Sequence, residues 1–206
     1  MRNWSIRVFF GQTTTLERLN ALTDGVYAIV ITLLILDLQM PESGGLTEGQ
    51  LLSDLLQQIP NFVAYVLSFY MVAFLWMRNY WILKHLKICD EKTFWLNFIH
   101  LMFTSLIPYT ASLIGHYKED PIAVMLFSGS FGMAGLSLLI LHRYVAAQTE
   151  WQLEGTPNLW VNPNWLLTYP GPWFALASIL IAFISINGAI ALWFLAPVLE
   201  HYFSDK

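Results

Sequence analysis

One cysteine, Cys89, stands in 206 residues, so an intrachain disulfide is impossible and no cysteine-based metal cluster can form. Charge is also scarce. Asp, Glu, Lys and Arg make up 12% of the chain, against roughly 25% in soluble domains. Hydrophobic residues reach 56%, aromatic residues 16% and the mean hydropathy is +0.53. That balance excludes an ordinary soluble globule. The net charge of -4 offers no basic patch, so no nucleic-acid partner is expected. The N-terminal stretch MRNWSIRVFFGQTTT has only Val8 to Phe10 as an apolar core, too short for a cleavable signal peptide, which leaves targeting to the first apolar helix. There is no H-x-x-x-H or E-x-x-H spacing, catalytic triad, phosphate loop or carboxylate pair. Neither an enzyme, a resident metal nor a cofactor is expected.

Long apolar runs are what the chain does have. Hydropathy predicts helices over roughly 15 to 38, 57 to 84, 92 to 115, 120 to 148, 169 to 185 and 188 to 203. Thr14 and Glu17 have capping-box spacing at the first, and Pro41 with ESGGLTEGQ predicts a polar loop after it. Asn187-Gly188 predicts a turn that folds the last apolar block into a hairpin of two short helices, with one long tilted helix as the competing arrangement. Six spans with both termini cytoplasmic put nine of the ten basic residues inside, Lys118 being the exception. Trp4, Trp151, Trp160, Trp165 and Trp173 fall near span ends, where aromatic belts form. His100 and His142 lie within spans and are expected to hydrogen-bond across helix interfaces.

The segment RLNALTDGVYAIVITLLILD, Arg18 to Asp37, is unlike a plain anchor. Apart from the Tyr27 hydroxyl, Thr32 is the only polar side chain from Val26 to Leu36, yet Arg18 and Asp24 sit where charge is costly, which marks a functional site. At about 100° per residue, Arg18, Leu22, Ile29, Leu33 and Leu36 share a narrow sector. Ala21, Gly25, Ala28 and Thr32 form a neighbouring sector of small residues, suited to close helix contact. Leu34 and Ile31 fall on the opposite side.

Arg18, Leu22, Thr23 and Asp24 spell R-x-x-x-[LF]-[ST]-D ahead of G-V-Y-A-I-V-I-T-L-L, a pattern that resembles the signature of the transmembrane protein 175 family, endolysosomal potassium channels and their bacterial homologues. YVLSFYMVAFLWMRNYWILKHL resembles that family's second helix, and NFIHLMFTSLIPYTASLIGHY its third, kinked around Pro108. The resemblance implies an all-α membrane protein in which residues 1–206 form one six-helix repeat. It implies a homotetramer in a bacterial plasma membrane, with a central potassium pore lined by the first helix. Ile29 takes the constriction position, Leu33 and Leu36 extend the apolar neck, and Thr32 matches a hydroxyl layer. Arg18, Leu22, Thr23, Asp24, Trp76 and Asn79 take the places of the motif and its bracing network. Leu22 and Thr23 replace the family's usual Phe and Ser, and the expected W-x-x-H-H reads Trp76, Met77, Arg78, Asn79, Tyr80; Asn79 can hydrogen-bond but not titrate. No T-V-G-Y-G element is present, so a carbonyl filter is not expected, and a hydrophobic neck that discriminates by dehydration gives modest selectivity. The alternative is a secondary transporter, proton-coupled or carrying a small solute. Such carriers place carboxylates or broken helices near the midplane, whereas Asp24, Asp37, Glu119 and Asp120 cluster at span ends.

Overall fold

The computed structural model describes residues 13–38, 50–117, 120–153 and 170–204. The Thr14 side chain, Arg2, Arg7, Lys118, Glu119, Lys206, Trp4, Trp160, Trp165 and Pro41 lie outside the described residues. Eight α-helices follow one another among the residues described: α1 Thr13–Leu33, α2 Gln50–Gln57, α3 Ile59–Lys84, α4 Glu91–Ser105, α5 Ile107–His116, α6 Pro121–Ala146, α7 Gly171–Ala182 and α8 Ile186–Ser204. Four stretches are long and apolar enough to cross a membrane: Thr15–Leu36, Asn61–Lys84, Glu91–His116 and Pro121–Ala146. The apolar helices Gly171–Ala182 and Ile186–Leu195 are shorter.

Helix α6 is the post on which the others lean, packing on α3, α4, α5, α7 and α8. Its sequence, rich in Gly, Ala and Ser, lets neighbouring backbones come close, which drives helix association where no water is expelled. A Cβ built on Gly132 would stand 2.6 Å from the Cβ of Ala175 on α7, and one on Gly135 would stand 3.1 Å from Pro172 Cδ. Two serines seal the contact, Ser128 and Ser178, with hydroxyl oxygens 2.9 Å apart, and the indole N–H of Trp193 on α8 donates to both at 3.1 Å.

Several local features differ from the pattern read along the chain. Residues 50–57, expected in a polar loop, form helix α2; Leu51, Leu52, Leu55 and Leu56 share one side of it and are exposed. The kink expected around Pro108 is present as a break at Leu106 that divides the third predicted helix into α4 and α5, since the proline ring nitrogen has no hydrogen to continue the backbone ladder. The terminal hairpin exists but turns at residues 183–185, ahead of Asn187-Gly188. Ser185 decides this, because its hydroxyl accepts from the Gly188 amide at 3.1 Å and caps α8 one turn early. The end of α1 tightens into a 3-10 segment, Leu34–Asp37.

Asp90 begins α4 by accepting from the Thr93 amide at 2.8 Å, and it also accepts from the Tyr144 hydroxyl at 2.6 Å, tying α4 to the end of α6. Partial burial works to raise this carboxyl, but the hydrogen bonds from Thr93, Tyr144 and Lys92 outweigh it and hold it below the usual carboxylate value. The cap is therefore fully present above the ordinary carboxylate range and is lost as pH falls through the depressed value. Burial, with the Asp90 charge beside it, pushes the Cys89 thiol up to about 12.

Gly132 and Gly129 separate packing from propensity. Gly132→Ala should lower thermal stability in detergent by about 1–3 kcal/mol through overpacking against Ala175. Gly129, where an added Cβ meets nothing within 4 Å, should accept Ala without loss. Equal melting temperatures for the two variants would refute the close α6–α7 contact.

Candidate permeation face on the first helix

Helix α1 has two unlike sides. Leu16, Leu19, Thr23, Tyr27, Val30 and Leu34 recur at intervals of three and four and are buried against α3, α4 and α5. The other side is exposed among the described residues: Leu22 is 43% exposed, Ile29 59%, Leu33 41% and Leu36 69%. Arg18 is exposed among them. Leu34 is buried and Ile31 half-buried, as the angular count expects, and Leu36 keeps its outward direction through the 3-10 turn. Ala21, Gly25, Ala28 and Thr32 are exposed as well, and a Cβ on Gly25 would meet nothing within 4 Å. Among the described residues a close contact through small residues is made by α6 and α7.

Three polar links fix the rotation of α1. Asp24 accepts from the indole N–H of Trp76 on α3 at 2.8 Å. Thr23 donates to the Leu19 carbonyl at 2.8 Å and accepts from Asn97 Nδ2 at 2.9 Å, while Asn97 Oδ1 accepts from Asn79 Nδ2 at 2.7 Å. The Tyr27 hydroxyl meets His100 Nε2, and His100 Nδ1 lies 2.9 Å from the Ala134 carbonyl and 3.3 Å from Ser137 Oγ. Helix α1 is thereby bonded to α3, α4 and, through His100, to α6. The cross-interface role expected of His100 is thus seen in its hydrogen bonds.

Asp24 takes its hydrogen bond from Trp76 and not from Asn79, which is committed to Asn97. Arg18 and Leu22 join neither pair. Tyr80, in the place of the second expected His, stacks on Trp76 with ring centroids 5.7 Å apart, covering the residue that holds Asp24. Thr32 spends its hydroxyl hydrogen on its own helix, donating to Ala28 and Ile29 carbonyls at 3.0 and 2.9 Å. Its oxygen lone pairs remain on the exposed face.

Asn97 and Tyr27 were not singled out from the sequence. A signal existed: Thr93, Asn97, His100 and Thr104 follow helical spacing on α4, and all four are wholly buried. A polar stripe at that period on a membrane helix faces protein rather than lipid.

An all-helical membrane protein whose first helix leaves one side exposed among the described residues is the class these features define. The sequence profile of the family described as the endosomal/lysosomal potassium channel TMEM175 matches residues 18–108. A potassium channel of Streptomyces collinus is 31% identical over 134 residues, 65% of this chain and 62% of its own length. A potassium channel of Chamaesiphon minutus is 26% identical over 190 residues, 91% of this chain and 92% of its own. Among solved structures, the crystal structure of a lysosomal potassium-selective channel TMEM175 homolog from Chamaesiphon minutus superposes with a TM-score of 0.76 at 24% identity, covering 93% of this chain and 97% of that one. The proteins this chain is similar to are thus TMEM175-type channels, named as ion channels and not as enzymes.

Asn97→Ala should cost about 1–3 kcal/mol, because it strands the buried Asn79 amide and removes the donor to Thr23. Trp76→Phe, which breaks a more exposed bond, should cost less. Thermal unfolding of both variants in one detergent checks the order, and a larger loss for Trp76→Phe would contradict it.

Proposed function

We propose that the chain is a potassium-conducting channel in which four copies surround a central pore and α1 of each copy lines it. The observation that carries this reading is the outward side of α1. Among the described residues it is exposed along its length, while the opposite side is bonded in place by three polar links. One helix cannot enclose a conduit, so a closed ring of copies is required, and cyclic symmetry supplies it. The relatives named as potassium channels support the choice of ion.

The four long stretches, joined by α7 and α8 as a shorter pair, give six crossings with both termini on the cytoplasmic side of the plasma membrane. Arg18 then lies at the inner mouth. Ile29 is the narrowest ring, and Leu33 and Leu36 extend it outward. An aliphatic ring offers an ion nothing to replace lost water, so passage depends on how tightly the ion holds its shell. Potassium holds water less tightly than sodium and is favoured, modestly. Between Ile29 and Leu33, Thr32 presents hydroxyl oxygens whose hydrogens are already bonded to the backbone, so the ring acts as an acceptor layer toward a cation. Asp24, Trp76, Thr23 and Asn79 act behind this wall and hold its angle. Leu22 and Arg18 line the approach to it from the inner end.

Purified protein should run near the mass of four chains in detergent and give step-like currents in planar bilayers. With potassium opposite sodium, the reversal potential should favour potassium. Ile29→Ala should shift it toward zero, because a wider ring passes hydrated sodium. Saturable flux without unitary steps would indicate a carrier, and unaltered selectivity in Ile29→Ala would place the constriction elsewhere.

A further inference from the structure

A cavity of about 530 Å³ opens between α3, α5, α6 and α8 at the end of the bundle where α1 finishes. Its walls include Leu34, Leu67, Ile114, Phe127, Ile190 and Trp193. The two carboxamides among its lining residues, Asn61 and Asn187, belong to the first turns of α3 and α8 and therefore to one end of it. From Asn61 to Ser68 along α3, both lining residues, the axial rise is about 10 Å. This wall lies in the stretch Asn61–Lys84, long and apolar enough to cross a membrane, so a bilayer around that span would bring hydrocarbon to it.

We propose that this crevice holds one acyl chain of a membrane glycerolipid, with the ester end of the lipid at Asn61 and Asn187. An apolar hollow of this kind does not hold water, and left empty it forfeits the dispersion contacts of its lining. The surrounding lipid supplies chains that fit it. Carboxamides are uncharged and both donate and accept, which matches ester carbonyls and glycerol oxygens at the interface better than a free carboxylate or phosphate. Leu34 forms part of the wall, so the bound chain rests on the buried side of α1, behind Leu33 and Leu36. Its effect on conduction depends on the pore reading above; its binding does not.

The full chain, reconstituted in phosphatidylcholine vesicles doped with phosphatidylcholine carrying a diazirine at the end of one acyl chain, is irradiated and its labelled peptides mapped. Label should concentrate on the cavity-lining residues of α3, α5 and α8. Two variants fill the space: Gly115→Leu, where an added Cβ meets nothing within 4 Å, and Ala64→Leu. Each should lower that labelling several-fold while thermal unfolding shows the fold retained. Label spread evenly over the lipid-facing helices, or unchanged in both variants, overturns the proposal. A diazirine fatty acid that labels the crevice where the phospholipid does not also overturns it. Labelling as expected in vesicles without potassium flux refutes the channel and leaves the lipid site standing.

Discussion

Inside a bilayer every buried polar group must find its partner in the protein, and that constraint organises this chain. Helix α1 carries Thr23, Asp24 and Tyr27 within a single turn, at a depth where an unsatisfied group is expensive. Each finds a donor or acceptor on α3 or α4, and the three bonds point to the same half of the helix. The rotation of α1 is fixed by that requirement together with the burial of Leu16, Leu19, Val30 and Leu34. Once it is set, Ile29, Leu33 and Leu36 have no choice but to face away from their own chain.

The rest of the fold makes those partners available. Helix α4 presents Asn97 and His100 only because α6 holds it, and α6 receives the second ring nitrogen of His100 through Ala134 and Ser137. The glycines of α6 bring α7 into van der Waals contact, and the Ser128, Ser178 and Trp193 cluster locks the terminal hairpin behind it. A chain of contacts therefore runs from the last two helices to the face of the first. Cys89 and Asp90 stand at its other end, where the Tyr144 hydroxyl joins the start of α4 to the end of α6.

Much of this was legible in the residues. Apolar run length gave the four long helices, and the 3.6-residue period separated Leu34 from Leu33 and Leu36 before any coordinates. What escaped did so for physical reasons. Leu51, Leu52, Leu55 and Leu56 make an amphipathic turn too short to register against a span-length window, so α2 read as loop. The hairpin turn moved because a serine cap outbid an Asn-Gly dipeptide. The Trp76 to Asp24 bond pairs residues 52 positions apart, and no local pattern encodes which donor reaches that carboxylate. The stripe on α4 was encoded, but only in the four residues Thr93, Asn97, His100 and Thr104 together, since each alone is an ordinary polar residue of a membrane helix.

The central claim is that the uncovered side of α1 faces water and ions, not lipid. Cysteine substitution along this helix, with the buried Cys89 replaced by Ala, tests it most directly. A charged, membrane-impermeant thiol reagent should block potassium current at Ile29→Cys, Leu33→Cys and Leu36→Cys, and leave Val30→Cys and Leu34→Cys untouched. Block at the buried positions, or none at Ile29, Leu33 and Leu36 while current persists, would contradict a pore lined by the first helix.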